Sequence, residues 1–285
     1  MTLKECCDKA TARLLEAYPA SEVRWMVRII FEHLKGYTPV DLVIKAQDPV
    51  SDFIAGKVSA VVDRLLAREP IQYIFGQTQF YGLKLKVTPD TLIPRPETEE
   101  LVDMIVREAG ERSGLRVLDI GPGSGCIAIA LARNLRFPQV SAIDISPRAL
   151  DVARENARDL RTRINFSCAD ALSLTPPPAP AFDIIVSNPP YIARHEQADM
   201  DPNVLDHEPH SALFVPDSDP LVFYQAIARF ALKALAPGGR IYFEINPLYA
   251  HDLSAFMQSC GWTGINLIPD TYRHIRFLSA TNPSS

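Results

Sequence analysis

The stretch that decides the fold is Val117-Leu118-Asp119-Ile120-Gly121-Pro122-Gly123-Ser124-Gly125. Its first four residues are mostly apolar and predict a short buried strand, which three glycines at alternate positions follow directly. Glycine lets the backbone turn sharply and approach a ligand closely, and an apolar helical segment begins at Cys126. The stretch therefore predicts a strand, a ligand-binding turn and a helix.

Strands and helices alternate from this stretch to the end of the chain. The pattern predicts seven strands, at about 117–120, 140–143, 164–168, 182–186, 241–245, and around Ile265 and Ile275. Such alternation is typical of a mostly parallel sheet with helices on both faces. Ligands of these sheets bind at the carboxyl ends of the strands, so the residues there are the candidates for function.

Acidic residues stand at the ends of the two strands that follow the glycine turn. Asp144 comes about twenty residues after the turn, where a carboxylate can accept both hydroxyls of a ribose. Asp170, followed by Ala171, ends the next strand and could reach an adenine amino group. Each acidic residue alone is more often a solvated strand end. Together with the glycine turn they predict a nucleoside site.

The fourth strand ends in Ser187 and is followed by Asn188-Pro189-Pro190-Tyr191. The prolines stiffen the turn and offer carbonyl oxygens without N–H donors, while Asn188 adds a side-chain oxygen and Tyr191 a flat aromatic face. Such a pocket suits a planar NH2 group, whose two hydrogens need two acceptors. That group would be a carboxamide or an exocyclic base amine. Asn and Pro are also ordinary turn residues, so a simple turn remains open.

The first 92 residues have a different pattern. Residues 1–75 predict only helices, with Ser21, Thr38 and Ser51 as N-caps. A β-hairpin is predicted within 76–92, around Tyr81-Gly82. We therefore expect a small helical domain over 1–75, a hairpin linker over 76–92 and an α/β domain over 93–285.

Composition excludes several classes of function. The 285 residues carry a formal net charge of −5, so the chain has no global basic footprint for nucleic acid. The apolar run 126–132 is far too short to span a membrane. Five cysteines lack metal-ligand spacing, which predicts no metal site and reduced thiols in a cytoplasmic protein.

The spacing of the glycine turn resembles that of the class I S-adenosylmethionine-dependent methyltransferases. It reads G-x-G-x-G after Asp119, whereas a dinucleotide site has G-x-G-x-x-G. S-adenosylmethionine has no pyrophosphate, so a negative Asp119 is tolerable near its cationic end. The resemblance implies a Rossmann-like, mostly parallel seven-stranded sheet.

Further motifs resemble a single family within this class. Five short motifs follow one another in the order seen in the peptide chain release factor glutamine N5-methyltransferases, the HemK or PrmC family. They are Arg68–Pro70, Tyr73–Gly76, Phe80–Gly82, Leu92–Glu99 and Glu208-Pro209. The resemblance covers the whole chain. Its specific part is Arg95–Glu99, because sister enzymes that act on a ribosomal-protein glutamine differ there.

The resemblance implies roles for the strand-end residues. The methionine part of the cofactor would lie against the turn formed by Gly121, Pro122, Gly123, Ser124 and Gly125. Asp144 would hold the ribose, and Asp170 with Ala171 would border the adenine. The substrate glutamine would be held by Asn188, Pro189, Pro190 and Tyr191. Of these four residues, Asn188, Pro189 and Tyr191 would act in catalysis. Asn188 would also border the cofactor. The partner would be a class 1 release factor, recognised through the helical domain, without a membrane or direct nucleic-acid contact.

Three alternatives remain open. A nucleic-acid adenine N6-methyltransferase needs a similar acceptor pocket for a flipped base. A ribosomal-protein glutamine is a second possible substrate, and a non-catalytic binding protein with this fold is the third. The sequence also departs from the family where Asn246-Pro247 replaces a glycine and where 216–219 replaces a glycine-rich turn.

Overall fold

The computed structural model describes residues 1–283, without the side chain of Asp199. The described residues form two compact units, one of 1–76 with 201–207 and one of 77–200 with 208 onward. The short segment 201–207 therefore belongs with the amino-terminal helices, although the sequence places it inside the α/β region. The predicted three-part division at 75 and 92 stays a prediction. No helix in the described part of the chain is long and apolar enough to cross a membrane.

The first unit is entirely helical. Its helices are α1 Leu3–Leu14, α2 Ala20–Lys35, α3 Pro39–Ile44, α4 Asp52–Leu66, α5 Ile71–Phe75 and, later in the chain, α9 Pro202–His207. They enclose a core that includes Leu14, Ile30 and Phe31, all fully buried. Burial of these apolar faces provides most of the stability of such short helices.

The predicted caps of this unit are correct at two of three positions. Thr38 and Ser51 accept hydrogen bonds from the backbone N–H groups of Asp41 and Ile54, as N-caps do. The prediction for Ser21 is wrong, because α2 begins at Ala20 and Ser21 is its second residue. Pro19 precedes it with an extended backbone and leaves the helix start without a side-chain cap.

The second unit opens with an antiparallel hairpin, β1 Gln77–Phe80 and β2 Leu83–Lys86, as predicted. Its helices are α6 Pro96–Ala109, α7 Cys126–Asn134, α8 Pro147–Asp159, α10 Val222–Ala234 and α11 Ala250–Ser259. Its remaining strands are β3 Arg116–Ile120, β4 Gln139–Asp144, β5 Ile164–Cys168, β6 Phe182–Ser187, β7 Ile192–Ala193, β8 Phe214–Val215, β9 Leu235–Glu244, β10 Thr263–Pro269 and β11 Ile275–Thr281.

Seven of these strands form the central sheet in the order β10-β11-β9-β6-β3-β4-β5. The five strands from β9 to β5 are parallel, and β10 and β11 add an antiparallel edge. Strand β9 begins earlier than predicted, at Leu235, and its pairing with β6 is irregular before Arg240. The predicted mostly parallel sheet of seven strands is confirmed.

Alternate side chains of the sheet pack on opposite faces. Val117 of β3 lies in one apolar core with α6 and α7, whereas Leu118 and Ile120 lie in the other core with α10 and α11. The chain runs outward from β3 through β4 to β5 and then returns to β6 on the other side of β3. The carboxyl ends of β3 and β6 therefore form the switch point at which such sheets bind ligands.

Candidate active site

The glycine turn lies at the carboxyl end of β3. Gly121, Gly123 and Gly125 have φ angles of 76°, 54° and 84°, in the left-handed region that favours glycine. A Cβ added to Gly125 would lie 3.1 Å from Ile129 Cδ1 and 3.2 Å from Ala153 Cβ. The third glycine is therefore required for close packing of the turn on its two neighbouring helices.

Asp144 ends β4 beside this turn. Its carboxylate accepts hydrogen bonds from the backbone N–H groups of Gly123, at 3.1 Å, and Ser146, at 2.9 Å. Burial raises the pKa of Asp144, and these two bonds oppose that rise. The side chain is thus held at the glycine turn, and each oxygen keeps a lone pair for another donor.

Asp119 has a different position from the one that the sequence suggested. The side chain is fully buried, and Oδ2 accepts a hydrogen bond from the backbone N–H of Ala128 at 3.0 Å. Oδ1 has no hydrogen-bond partner, and burial raises the pKa of Asp119 to about 7. Asp119 therefore connects β3 to α7 and does not line the cavity beside the turn.

A cavity of about 510 Å³ lies over the carboxyl ends of the strands. Its walls include all of the predicted site residues except Gly125 and Tyr191, namely Gly121, Pro122, Gly123, Ser124, Asp144, Asp170, Ala171, Asn188, Pro189 and Pro190. Residues from the segment after β7, such as Phe214, close another side. The structure thus brings the glycine turn, the strand-end carboxylates and the Asn-Pro-Pro turn to one cavity.

The glycine turn and the Asn-Pro-Pro turn are neighbours because their strands are paired in register. Ile120 of β3 is opposite Ser187 of β6, and the Ser187 hydroxyl donates to the Ile120 carbonyl at 2.6 Å. Gly121 and Asn188 each follow directly after these paired residues. The two turns therefore begin side by side on one edge of the sheet.

Tyr191 is not the flat wall that the sequence suggested. Its ring packs with the apolar core of α10 and α11, and its hydroxyl donates to Glu244 Oε1 at 3.2 Å. Burial of the ring, with the negative charge of Glu244, raises the pKa of Tyr191 well above its ordinary value. The hydroxyl is directed into the protein because a buried carboxylate accepts its hydrogen there.

Glu244 and Thr98 were not among the residues that the sequence predicted for this site. Glu244 ends β9 with only 1% of its surface exposed, and Thr98 in the first turn of α6 donates to Glu244 Oε2 at 2.7 Å. Asn188 Nδ2 lies 3.5 Å from Thr98 Oγ1. The sequence did contain a signal, because a glutamate in the apolar run of β9 requires a hydrogen-bond partner when it is buried.

Arg95 and Glu208 form an ion pair at the cavity wall. Arg95 Nη2 donates to Glu208 Oε1 at 2.7 Å, and the backbone N–H of Ile93 donates to Oε2 at 3.2 Å. Glu208 is 4% exposed, and Arg95 lines the cavity. Two motifs that lie far apart in the sequence, 92–99 and 208–209, therefore meet here.

The end of the cavity near β5 is lined by Asp170 and by two exposed apolar side chains. Asp170 Oδ1 accepts the backbone N–H of Leu172 at 2.9 Å and so caps a short 3₁₀ turn, Ala171–Ser173. Ile145 and Leu172 line the cavity with 61% and 46% of their surfaces exposed. Among the side chains that the structure describes, no three from His, Cys, Asp or Glu are grouped so that they could hold a metal ion.

Comparison with known proteins places these features in one family. Residues 117–203 match a methyltransferase domain, and residues 5–76 match the PrmC N-terminal domain. The release factor glutamine methyltransferase of Bacteroides thetaiotaomicron is 42% identical over 94% of this chain and 95% of that protein. This chain belongs to the release factor glutamine methyltransferase family. The resemblance seen in the sequence is confirmed.

Other relatives agree with this assignment. The release factor glutamine methyltransferase of Flavobacterium psychrophilum is 38% identical over 98% of this chain and 98% of its own length. That of Streptococcus pneumoniae is 45% identical over 76% of this chain and 76% of its own length. A methyltransferase from Pyrococcus furiosus has a similar structure, with a TM-score of 0.54 and 17% identity over 79% of this chain and 99% of its own. That likeness concerns the fold alone.

Proposed function

We propose that this chain transfers a methyl group from S-adenosylmethionine to the side-chain amide nitrogen of a glutamine in a peptide chain release factor. One structural relationship supports the proposal above all others. The glycine turn after β3 and the Asn188-Pro189-Pro190 turn after β6 line one cavity at the switch point of the sheet. A nucleoside site and an amide pocket therefore adjoin.

The residues on the donor side of the cavity fit S-adenosylmethionine. A Cβ added to Gly121 or Gly123 would meet no atom within 4 Å, so ligand atoms can approach this backbone closely. The Asp144 carboxylate would accept the ribose hydroxyls on its remaining lone pairs. Ile145 and Leu172 offer apolar surface to an adenine ring that Asp170 and Ala171 would border.

The acceptor side of the cavity would make an amide nitrogen reactive. That nitrogen is a poor nucleophile because its lone pair is delocalised into the carbonyl group. The Asn188 side-chain oxygen and the Pro189 carbonyl would accept its two hydrogens, hold it in line and stabilise the positive charge that it gains. When bound, the cofactor supplies an electrophilic methyl carbon. No strong base is required, since the methylated amide is acidic and loses its proton late.

Pro190 and Tyr191 would support this pocket from behind. Pro190 lines the cavity and fixes the turn, and Tyr191 is held by hydrogen bonds at both ends. One is its hydroxyl bond to Glu244, and the other is its carbonyl, which accepts from Asn246 Nδ2 at 3.1 Å. The side chain of Asn246 therefore connects the Tyr191 backbone to the segment that follows β9.

The helical unit would recognise the release factor. Helix α3 has no buried residues, and it exposes Val40, Val43 and Ile44 at 63%, 76% and 77%. Apolar side chains grouped on an exposed helix are typical of a protein-binding surface. A substrate that acts in translation would place the protein in the cytoplasm.

Incubation with labelled S-adenosylmethionine tests the proposal against its alternatives. The protein would be mixed separately with a release factor, with ribosomal proteins and with DNA, and the label would be located by mass spectrometry. We expect label on one glutamine of the release factor. Label on a DNA adenine or a ribosomal-protein glutamine would replace the proposal by that alternative, and no transfer at all would favour a binding protein.

A further inference from the structure

Glu244 is a fully buried carboxylate that no predicted step of the reaction uses. It accepts hydrogen bonds from Thr98 Oγ1 at 2.7 Å and from the Tyr191 hydroxyl at 3.2 Å. Burial raises the pKa of Glu244, whereas these two bonds and the positive charge of Arg276 oppose the rise. Each oxygen of Glu244 acts as an acceptor here, so Thr98 and Tyr191 must both direct their hydroxyl hydrogens towards it.

This requirement fixes the direction of the next hydrogen bond. A threonine hydroxyl has one hydrogen, and Thr98 donates it to Glu244, so Thr98 Oγ1 has only lone pairs left for Asn188. The Asn188 amide must therefore present Nδ2 to Thr98, which is the orientation observed, at a long distance of 3.5 Å. Its oxygen then remains for the cavity that Asn188 lines.

We propose that Glu244 and Thr98 are positioning residues that orient the Asn188 amide, so that its oxygen faces the substrate. This inference rests on the proposed function, in which Asn188 accepts a hydrogen of the glutamine amide. A reversed Asn188 would present an NH2 group to the substrate NH2 group and would repel it. The carboxylate thus determines, through one hydroxyl, whether the pocket accepts or rejects an amide.

Substitutions at Thr98 test the proposal with matched side chains. Thr98→Val keeps the shape but removes the hydroxyl, and Thr98→Ser keeps the hydroxyl. We expect Thr98→Val to lower kcat for release factor methylation by about tenfold or more, with KM changed less than about threefold. Thr98→Ser should retain at least about a third of kcat. Thr271→Val is the control, because Thr271 also donates to a glutamate, Glu100, but on the exposed surface.

Glu244→Gln keeps a side chain of the same size but replaces one acceptor oxygen by an NH2 donor, so the direction of the hydrogen bond to Thr98 can reverse. The glutamine NH2 can donate to Thr98, which frees the threonine hydrogen for the Asn188 oxygen. We expect kcat to fall about as far as in Thr98→Val, with the affinity for S-adenosylmethionine within about twofold of the unsubstituted protein. Unchanged kcat in both variants, or an equal loss in Thr98→Ser and Thr98→Val, would overturn the proposal.

A second measurement does not depend on activity. The side-chain NH2 resonances of Asn188, assigned by their loss in Asn188→Asp, report the hydrogen bond to Thr98 directly. We expect their exchange with solvent to be about tenfold or more faster in Thr98→Val than in Thr98→Ser. Equal exchange would overturn the proposal even if the protein fails to methylate a release factor. Failure of the unsubstituted protein on that substrate would instead reject the proposed function.

Discussion

The carboxylate of Asp144 accepts a hydrogen bond from the backbone N–H of Gly123 at 3.1 Å. This contact joins the end of β4 to the glycine turn that follows β3, so the two features that the sequence suggested for a nucleoside site are physically connected. A second bond, from the Ser146 N–H, fixes the other oxygen. Asp144 is therefore held in place before any ligand binds.

Asp144→Ala should weaken the binding of S-adenosylmethionine. The variant loses the carboxylate that we propose as the acceptor for the ribose hydroxyls and also loosens the turn, which should cost about 1–3 kcal/mol of binding free energy. Calorimetry measures the Kd, and the Tm without ligand shows whether the fold is intact. Asp151→Ala removes an exposed carboxylate of the following helix and should leave the Kd unchanged. An unchanged Kd in Asp144→Ala would remove Asp144 from the site.

Asn188→Ala should reduce turnover more than substrate affinity. Under the proposed function, it deletes one of two acceptors whose bonds strengthen as the amide nitrogen becomes positive, so kcat should fall about a hundredfold or more. Because Asn188 also borders the cofactor cavity, the Kd for S-adenosylmethionine must be measured in the same variant. Asn266→Ala, on an exposed strand, is the control. Normal turnover at saturating cofactor would show that the turn is not an amide pocket.

The sequence predicted those site residues whose position follows from the order of strands along the chain. Parallel strands end at one edge of the sheet, so Gly121, Asp144 and Asn188 had to lie along that edge once the strands were recognised. The strand order at the switch point then follows from the usual connections of such sheets. Local patterns were sufficient for these predictions.

The supporting contacts could not be predicted, because they join distant residues through side-chain packing. Thr98 and Glu244 are 146 positions apart, and nothing in the first turn of α6 distinguishes a capping threonine from one that donates to a buried carboxylate. The predicted position of the Tyr191 ring was wrong for the same reason, since its hydroxyl donates to the buried carboxylate of Glu244. The grouping of 201–207 with the helical unit likewise depends on tertiary contacts alone.

Glu208→Ala should destabilise the cavity wall. It removes the acceptor for Ile93 N–H and the partner of Arg95, whose side chain is 32% exposed and can be partly solvated. We expect the free energy of unfolding of the second unit to fall by about 1–3 kcal/mol in denaturant titrations. Glu111→Ala breaks a surface ion pair with Arg136 and should cost less than about 0.5 kcal/mol. Similar losses in both variants would contradict a structural role for the buried pair.

Lysine substitutions in α3 should separate recognition from chemistry. Val43→Lys with Ile44→Lys replaces two exposed apolar side chains, so the fold should be unaffected. We expect KM for the intact release factor to rise about tenfold or more, since the lysine charges would lose water in an apolar contact without gaining a partner. Activity on a short glutamine peptide should not change. Phe137→Lys, at an 82% exposed position of the second unit, is the control. An equal effect on factor and peptide would refute recognition through α3.

Asp119 should make the stability of the protein depend on pH. Its pKa is about 7 in the folded protein against an ordinary value of 3.8, because the carboxylate is buried and one of its oxygens lacks a partner. Between these values the folded state binds more protons than the unfolded state, so this residue lowers stability as the pH rises towards neutrality.

Asp119→Asn keeps the shape and the acceptor for the Ala128 N–H but carries no charge. The variant should therefore exceed the unsubstituted protein in Tm at about pH 8 by at least about 2–4 °C. This advantage should shrink at about pH 5, where Asp119 is protonated in the folded protein and the folded state carries no buried charge. Subtracting the plot of Tm against pH of the unsubstituted protein from that of the variant removes the contribution of the other titrating groups. Asp159→Asn, on the exposed end of α8, should show no such difference. A pH-independent difference in Asp119→Asn would mean that Asp119 is already ionised when the pH is low.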